Sequence, residues 1–233
     1  MNIDITEFKQ VVFFTGAGMS AESGVPTYRG AGGIWNEYNW ESYACQDAFE
    51  SDPEKVLDFH ELRRKSVLDC HPHEGHRAIA TLAETHSGIH IVTQNIDGMH
   101  QRAGSKSAVE LHGSLWRLRC KNHGIREDIG EKFTHRKCEI CGEWLRPDII
   151  WFGDMLNQET IYEANQCIQD CDLFISIGTS GVVWPAAGFP QVAKQAGAKC
   201  IEINLEKTEM SGLYDETILG KAGEILPALF NIN

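Results

Sequence analysis

Val11-Val12-Phe13-Phe14 runs straight into Thr15-Gly16-Ala17-Gly18, and this junction constrains the fold more than any other stretch of the chain. Four successive apolar residues read as a strand buried within a sheet. The glycines behind it permit a tight turn into a helix and close approach of the backbone to a ligand. The same arrangement recurs. Ile89-His90-Ile91-Val92 ends at Thr93-Gln94-Asn95, Leu173-Phe174-Ile175-Ser176-Ile177 ends at Gly178-Thr179-Ser180, and Cys200-Ile201-Glu202-Ile203 ends at Asn204. Helical spacing fills the intervals, with Ala78, Ile79, Leu82 and Ala83 in 76–86 and Ile161, Ala164, Cys167 and Ile168 in 157–170. Residues 186–196 predict another helix with Pro185 suited to its start, and Pro190 predicts a kink or a later beginning. A closing helix is expected over about 222–230. Such alternation predicts an α/β fold with a mostly parallel sheet. Ligands of open α/β sheets bind at the carboxyl ends of strands, so the four polar strand ends are expected to floor one site.

Two stretches interrupt the rhythm. Residues 37–72 are polar, aromatic and helical in pattern (Trp40, Tyr43, Phe49, Val56, Phe59, Leu62), and residues 117–150 are charged, with Cys and His closely spaced. Both read as insertions that build a smaller lobe on one large domain of a 233-residue chain. The expected division is 1–36, 73–116 and 151–233 for the larger unit, with 37–72 and 117–150 as a helical and a metal module.

Acidic residues outnumber basic ones by 33 to 21, giving a formal charge of −12. That balance disfavours nucleic acid as a partner and suits solubility or cationic, lysine-rich peptides. The start, MNIDITEFKQVVFF, lacks the basic residues and cleavage site of a signal peptide, and the apolar runs are too short to span a bilayer. A cytoplasmic, reducing location and a monomer without membrane contact are expected. Eight cysteines then point to thiols or metal before disulfides.

Cys120-Lys121-Asn122-His123 and Cys138-Glu139-Ile140-Cys141 form two close pairs with 14 residues between His123 and Cys138. Two such pairs close the four positions of a tetrahedral zinc site, which is then structural because no position stays open. His123 is preferred for its place in the first pair. His135 and His112 lie nearby in sequence, and the fourth ligand stays open at this point.

The glycine turn has a strand before it and a helix after it, the context that dinucleotide binding requires. No acidic residue ends a second strand about 20 residues on, so plain hydride transfer is disfavoured. Thr93-Gln94-Asn95-Ile96-Asp97-Gly98-Met99-His100 is dense in groups that hydrogen-bond a carboxamide or a ribose. His112, in Glu110-Leu111-His112-Gly113-Ser114, follows a short apolar strand, and a histidine titrating near neutrality can act as a general base. His60, His71, His73, His76, His86, His90, His100 and His135 take structural or surface roles by default, with His60 reopened below.

Taken together, these motifs resemble the sirtuin family of NAD-dependent protein deacylases. The resemblance rests on residues 16–30 (GAGMSAESGVPTYRG), Thr93-Gln94-Asn95-Ile96-Asp97, Leu111-His112-Gly113-Ser114, the cysteine pairs, residues 146–154 (RPDIIWFGD) and Gly178-Thr179-Ser180. It covers nearly the whole chain in order, and is strongest to short bacterial members related to desuccinylase-type sirtuins. It implies a Rossmann-like domain, a smaller helical and zinc-binding domain with one structural zinc ion, and an acyl-lysine protein or peptide bound between them, paired with Phe152-Gly153. It implies attack of the acyl oxygen on the ribose carbon bearing nicotinamide. His112 then serves as base on a ribose hydroxyl, and hydrolysis yields deacylated lysine and O-acyl-ADP-ribose.

The resemblance also implies roles for individual residues. Asn95 and Asp97 hold the ribose and the nicotinamide amide, with Asn95 also catalytic. Arg29 stands beside the pyrophosphate and ribose. Gly178, Ser180, Asn204 and the backbone near Ala222 match the adenosine side. Further cofactor contacts are expected from Gly16, Ala17, Gly18, Ser20, Ala21, Glu22, Thr27, Tyr28, Trp35, Gln94, Ile96 and Thr179.

Two departures stand out. The first metal pair is Cys-x-x-His where relatives carry Cys-x-x-Cys. In the helical module, Arg63 matches an arginine that binds the carboxylate of succinyl- or malonyl-lysine, but His60 stands where a tyrosine is usual. A protonated or donor His60 would assist Arg63 and favour binding at lower pH. Ala44 falls where a small residue leaves the acyl pocket roomy. Removal of acetyl or acidic acyl groups is therefore the expected activity. Protein ADP-ribosylation and a non-enzymatic NAD- or zinc-binding module are the alternatives, against which His112 argues.

Overall fold

The computed structural model describes residues 2–28 and 32–232. The glycine junction forms as expected: β1 (Val11–Thr15) turns at Gly16 into a short α1 (Ala17–Ala21). The helical insertion follows as α2 (Ile34–Glu37), α3 (Trp40–Tyr43), α4 (Gln46–Ser51) and α5 (Pro53–Leu68). Asp52 caps α5 by accepting from the Lys55 N–H, and Pro53 sits in the first turn, where a missing N–H goes unnoticed. Next come α6 (Glu74–Thr85), β2 (Ile89–Thr93), α7 (Met99–Arg102) and β3 (Val109–Glu110). The second insertion holds β4 (Gly113–Cys120), β5 (Gly124–Glu127) and β6 (Arg146–Ile149). The chain closes with α8 (Gln158–Gln169), β7 (Leu173–Ile177), α9 (Phe189–Ala196), β8 (Lys199–Asn204), β9 (Glu216–Leu219) and α10 (Ala222–Leu229).

Six strands form a parallel sheet in the order β3-β2-β1-β7-β8-β9. Alternation along β1 divides the core. Val11 and Phe13 pack with Ile79 of α6 and Leu226 of α10, while Val12 and Phe14 pack with Ile168 of α8 and Phe189 of α9. Both faces are covered, which explains the unbroken apolar runs. Helix α9 begins at Phe189 after a 3-10 turn over Ala186–Gly188, so Pro190 delays the helix instead of kinking it. β9 is an edge strand whose Glu-Thr-Ile-Leu sequence carries no strand signal of its own.

The second insertion is an antiparallel sheet, β5-β4-β6. The boundary expected at 116/117 falls inside β4. Leu115 donates its backbone N–H to Ile96 of the large unit at 2.9 Å, while Arg117 to Cys120 pair with β5. Helix α5 is locked to this sheet by Arg64, which is fully buried and pairs with Asp128 at 2.9 Å between the rings of Trp116 and Phe133. No helix among the described residues is long and apolar enough to cross a membrane.

Candidate active site and metal centre

The strand order reverses between β1 and β7, the position where open α/β sheets bind ligands. Gly16 and Gly178 follow these two strands and touch. A Cβ on Gly16 would lie 2.7 Å from the Gly178 carbonyl oxygen, and one on Gly18 would lie 2.7 Å from Gly178 Cα. Gly178 itself has φ +60, which strains any other residue. The glycines thus close the turn against the neighbouring strand end. Gly18 N–H donates to the Gly178 carbonyl at 2.9 Å, so this amide is satisfied within the fold.

Asn95 enters from the end of β2. Its Nδ2 donates to the Gly16 carbonyl at 2.9 Å and to Ser20 Oγ at 3.2 Å. Both amide hydrogens are then used, and Oδ1 is the atom left to meet a ligand. Asp97 accepts from the Met99 N–H at 2.8 Å, and its carbonyl accepts from the Trp116 indole at 2.8 Å. Burial raises the Asp97 carboxyl above its ordinary value against the pull of that N–H, the Ser20 hydroxyl and Arg63. Ala17, Tyr28, Arg63, Asn95, Ile96 and Asp97 line one narrow recess. Arg63 is 9 % exposed, donates to the Tyr28 hydroxyl at 3.4 Å and lies 5.2 Å over its ring. Among the described residues it forms no ion pair.

His112 precedes β4 and donates Nδ1–H to the Gln94 carbonyl at 2.9 Å, since a carbonyl only accepts. That bond fixes the tautomer and leaves Nε2 as the proton acceptor. Burial lowers its pKa, and the Gln94 carbonyl opposes the shift. The Ile150 N–H holds the His112 carbonyl at 3.0 Å from the β6 side.

At the outer end of the cleft, Asn204 Nδ2 donates to the Thr179 carbonyl at 2.9 Å, and Ser180 is exposed beside it. Glu22 accepts the Gly223 N–H at 3.1 Å, which ties the glycine turn to α10 next to Ala222. Trp35 stacks on Phe59 and meets Tyr28 and Phe152, and the Thr27 carbonyl accepts from the Ile34 N–H at 2.9 Å. The Ala44 carbonyl accepts from the Phe152 N–H at 3.0 Å, and Gly153 has φ +87. Arg29 lies outside the described residues.

One open expectation is narrowed. His60 is 3 % exposed and stacks on Trp151 with ring centroids 5.7 Å apart. Burial first, then the charges of Arg63 and Arg146, push its pKa down to about 3. The ring is then neutral near pH 7, which favours the donor form of His60 over the protonated one.

His73, His76 and His100 take the structural side of their default reading. His100 Nε2 lies 3.0 Å from Thr15 Oγ1, which bonds Thr93 Oγ1 at 2.8 Å, and the Asn95 N–H donates to that same hydroxyl at 3.0 Å. His76 Nε2 lies 3.5 Å from Ser20 Oγ, and His73 Nε2 donates to the Met19 carbonyl at 2.6 Å. These rings brace the glycine turn and Asn95 from below. His73 caps α6, His76 lies in its first turn, and His100 lies in α7 after the polar end of β2.

The thiols and imidazole come together as expected, with Cys120, His123, Cys138 and Cys141 offering ligand atoms all within 4.8 Å of one another. His123 Nδ1 lies 3.6 Å from Cys120 Sγ and 3.5 Å from Cys138 Sγ, and Cys120 and Cys141 Sγ are 3.6 Å apart. Tetrahedral zinc with bonds of about 2.3 Å to sulfur and 2.0 Å to nitrogen has edges of roughly 3.5–3.8 Å, so the donor set fits. His123 completes the set, while His135 faces Glu139 at 3.5 Å. Backbone N–H groups of Cys141 and Ile140 draw the Cys138 thiol down to about 6, which favours the thiolate a metal needs. β4 separates His112 from Cys120, about 25 Å at 3.3 Å per residue, so the metal centre stands apart from the cleft.

A parallel sheet with a glycine-cradled polar cleft at its switch point, and a closed thiol–imidazole cluster at a distance, define an α/β protein built to hold a nucleotide. The Sir2 family model matches residues 16–185, and the chain belongs to the Sir2 family. It is similar to the NAD-dependent protein deacylase 2 of Pyrobaculum aerophilum, 45 % identical over 95 % of this chain and 90 % of that protein. It is also similar to the NAD-dependent protein deacylase 1 of Pseudomonas aeruginosa, 39 % identical over 95 % and 93 %. Among solved structures, a Sir2 homologue bound to NAD superposes with a TM-score of 0.88 at 41 % identity, covering 97 % of this chain and 89 % of that one. A Sir2 homologue mutant bound to 2′-O-acetyl ADP-ribose gives 0.88 at 41 %, covering 97 % and 92 %.

Proposed function

We propose that this chain is an NAD-dependent protein-lysine deacylase, releasing nicotinamide and O-acyl-ADP-ribose. The observation that carries this is the fixed tautomer of His112, bonded to the Gln94 carbonyl beside Asn95 and Asp97 in a Sir2-family chain. Bound NAD supplies an electrophilic ribose carbon with nicotinamide as its leaving group. Asn95 offers Oδ1 to a ribose hydroxyl, and Asp97 takes the carboxamide. His112 Nε2 takes a proton from the ribose hydroxyl that attacks the acyl carbon. Gly16, Ala17, Gly18, Ser20, Ala21, Glu22 and Arg29 surround the pyrophosphate side. Thr27, Tyr28, Trp35, Gln94 and Ile96 enclose the nicotinamide end. Gly178, Thr179, Ser180, Asn204 and Ala222 receive the adenosine. The acyl-lysine peptide pairs with Phe152-Gly153, and Cys120, His123, Cys138 and Cys141 hold one structural zinc ion. Eight cysteines, none in a disulfide among the described residues, support a reducing, cytoplasmic setting.

The acyl group it favours is acidic. Arg63 is buried and, among the described residues, forms no ion pair, so its guanidinium can receive an anion brought by the substrate. Ala44 leaves room, and neutral His60 can add one N–H. Arg63→Met is expected to cut kcat/KM for a succinyl-lysine peptide by about 100-fold or more and for its acetyl counterpart far less. Equal losses for the two peptides would remove Arg63 from acyl recognition.

A further inference from the structure

Glu202, the fourth residue of β8, is 1 % exposed and, among the described residues, has no cationic partner. Three hydroxyls satisfy its carboxylate instead. Thr208 Oγ1 donates at 3.1 Å, Ser211 Oγ at 2.5 Å and Thr217 Oγ1 at 3.2 Å. A buried carboxylate is tolerated only with such donors, so they are held tightly. Thr217 belongs to β9, but Thr208 and Ser211 belong to the connection between β8 and β9. There Ser211 Oγ accepts the Thr208 N–H at 2.8 Å, and Thr208 Oγ1 accepts the Met210 N–H at 3.2 Å. This folds the connection back onto the strand ends. Met210 then rests on Gly181, where a Cβ would come within 2.6 Å of Met210 Cγ. Ser176 Oγ and Thr179 Oγ1 lie 3.0 Å apart beside the Tyr214 hydroxyl, and Asn204 Nδ2 holds the Thr179 carbonyl. The segment after β7 is therefore shaped from outside by residues 204–214, and Glu202 anchors that stretch.

We propose that Glu202 is a positioning residue for the adenosine half of NAD: by gathering Thr208 and Ser211 it sets the wall against Gly178-Thr179-Ser180, and so controls dinucleotide affinity without touching the chemical step. This rests on the NAD reading given above.

The test compares two ways of stripping hydroxyls from one carboxylate in the full chain. Thr208→Val with Ser211→Ala frees the connection, whereas Thr217→Val removes a donor from the strand alone. Calorimetry with ADP-ribose, a probe that needs no turnover, is expected to show about tenfold weaker binding for the double variant and about wild-type binding for Thr217→Val. KM for NAD should rise in parallel, with kcat and the KM for acyl-lysine peptide unchanged. Thr208→Ser should bind like wild type. Equal weakening by both sets of variants, or a fall in kcat without a change in affinity, would reduce Glu202 to general stability and overturn the proposal. Wild-type protein that bound no ADP-ribose would overturn the NAD reading and this inference together.

Discussion

Burial draws the His112 imidazole below its ordinary 6.5, and the Gln94 carbonyl recovers part of that shift. A base has to be neutral, so the lowered pKa keeps His112 competent into mildly acidic solution. The acidic limb of kcat/KM against pH is therefore predicted to have its midpoint below 6.5. His112→Ala should lose about 100-fold or more in kcat and lose the limb as well. A wild-type midpoint above 6.5 would contradict this account of the site. His112 was legible in the sequence because its neighbours formed a motif. The orientation of Asn95 was not, because it follows from Gly16 and Ser20 consuming both amide hydrogens. For His60 the sequence left a protonated and a donor form open, because it shows neither the burial nor the neighbouring guanidinium groups that lower its pKa.

β1, β2, β7 and β8 were readable because their largely buried faces leave mostly apolar runs, whereas the half-buried edge strand β9 was not. The antiparallel sheet was not. β5 reads Gly-Ile-Arg-Glu with mostly exposed side chains, and its place comes from pairing with β4 and from the thiol–imidazole cluster. The cluster was legible by spacing, and geometry then selected His123 over His135. Since so little apolar surface supports β5, the metal should carry much of this element's stability. The protein is predicted to hold one zinc ion per chain, and Cys138→Ser or a strong chelator should lower Tm by about 10 °C. Because β4 begins beside His112, turnover should fall with it. Metal analysis alongside thermal melting checks this, and unchanged melting after complete zinc loss would contradict it.

Over the whole molecule, several histidines are buried neutral. Burial is the largest cause in each case, pushing His60 to about 3 and His100 to about 4 and lowering His76 as well. The unfolded chain takes up protons on these rings near 6.5, whereas the folded chain refuses them until far lower pH. Stability is then full above 6.5 and falls as pH drops toward 4. At about 1.4 kcal/mol per pH unit for each ring, urea unfolding should show a loss on the order of 5 kcal/mol between pH 7 and pH 5. A flat profile would mean that the rings are not sealed. The cleft draws on both sheets and on the helical insertion, and in it one base and one dinucleotide serve lysine deacylation. The most direct measurement is mass spectrometry of all products from NAD and one lysine peptide, offered acetylated and succinylated. Nicotinamide, deacylated peptide and O-acyl-ADP-ribose are expected in equal amounts, faster from the succinylated form. ADP-ribosylated peptide with the acyl group still in place, or no consumption of NAD, would contradict this chemistry.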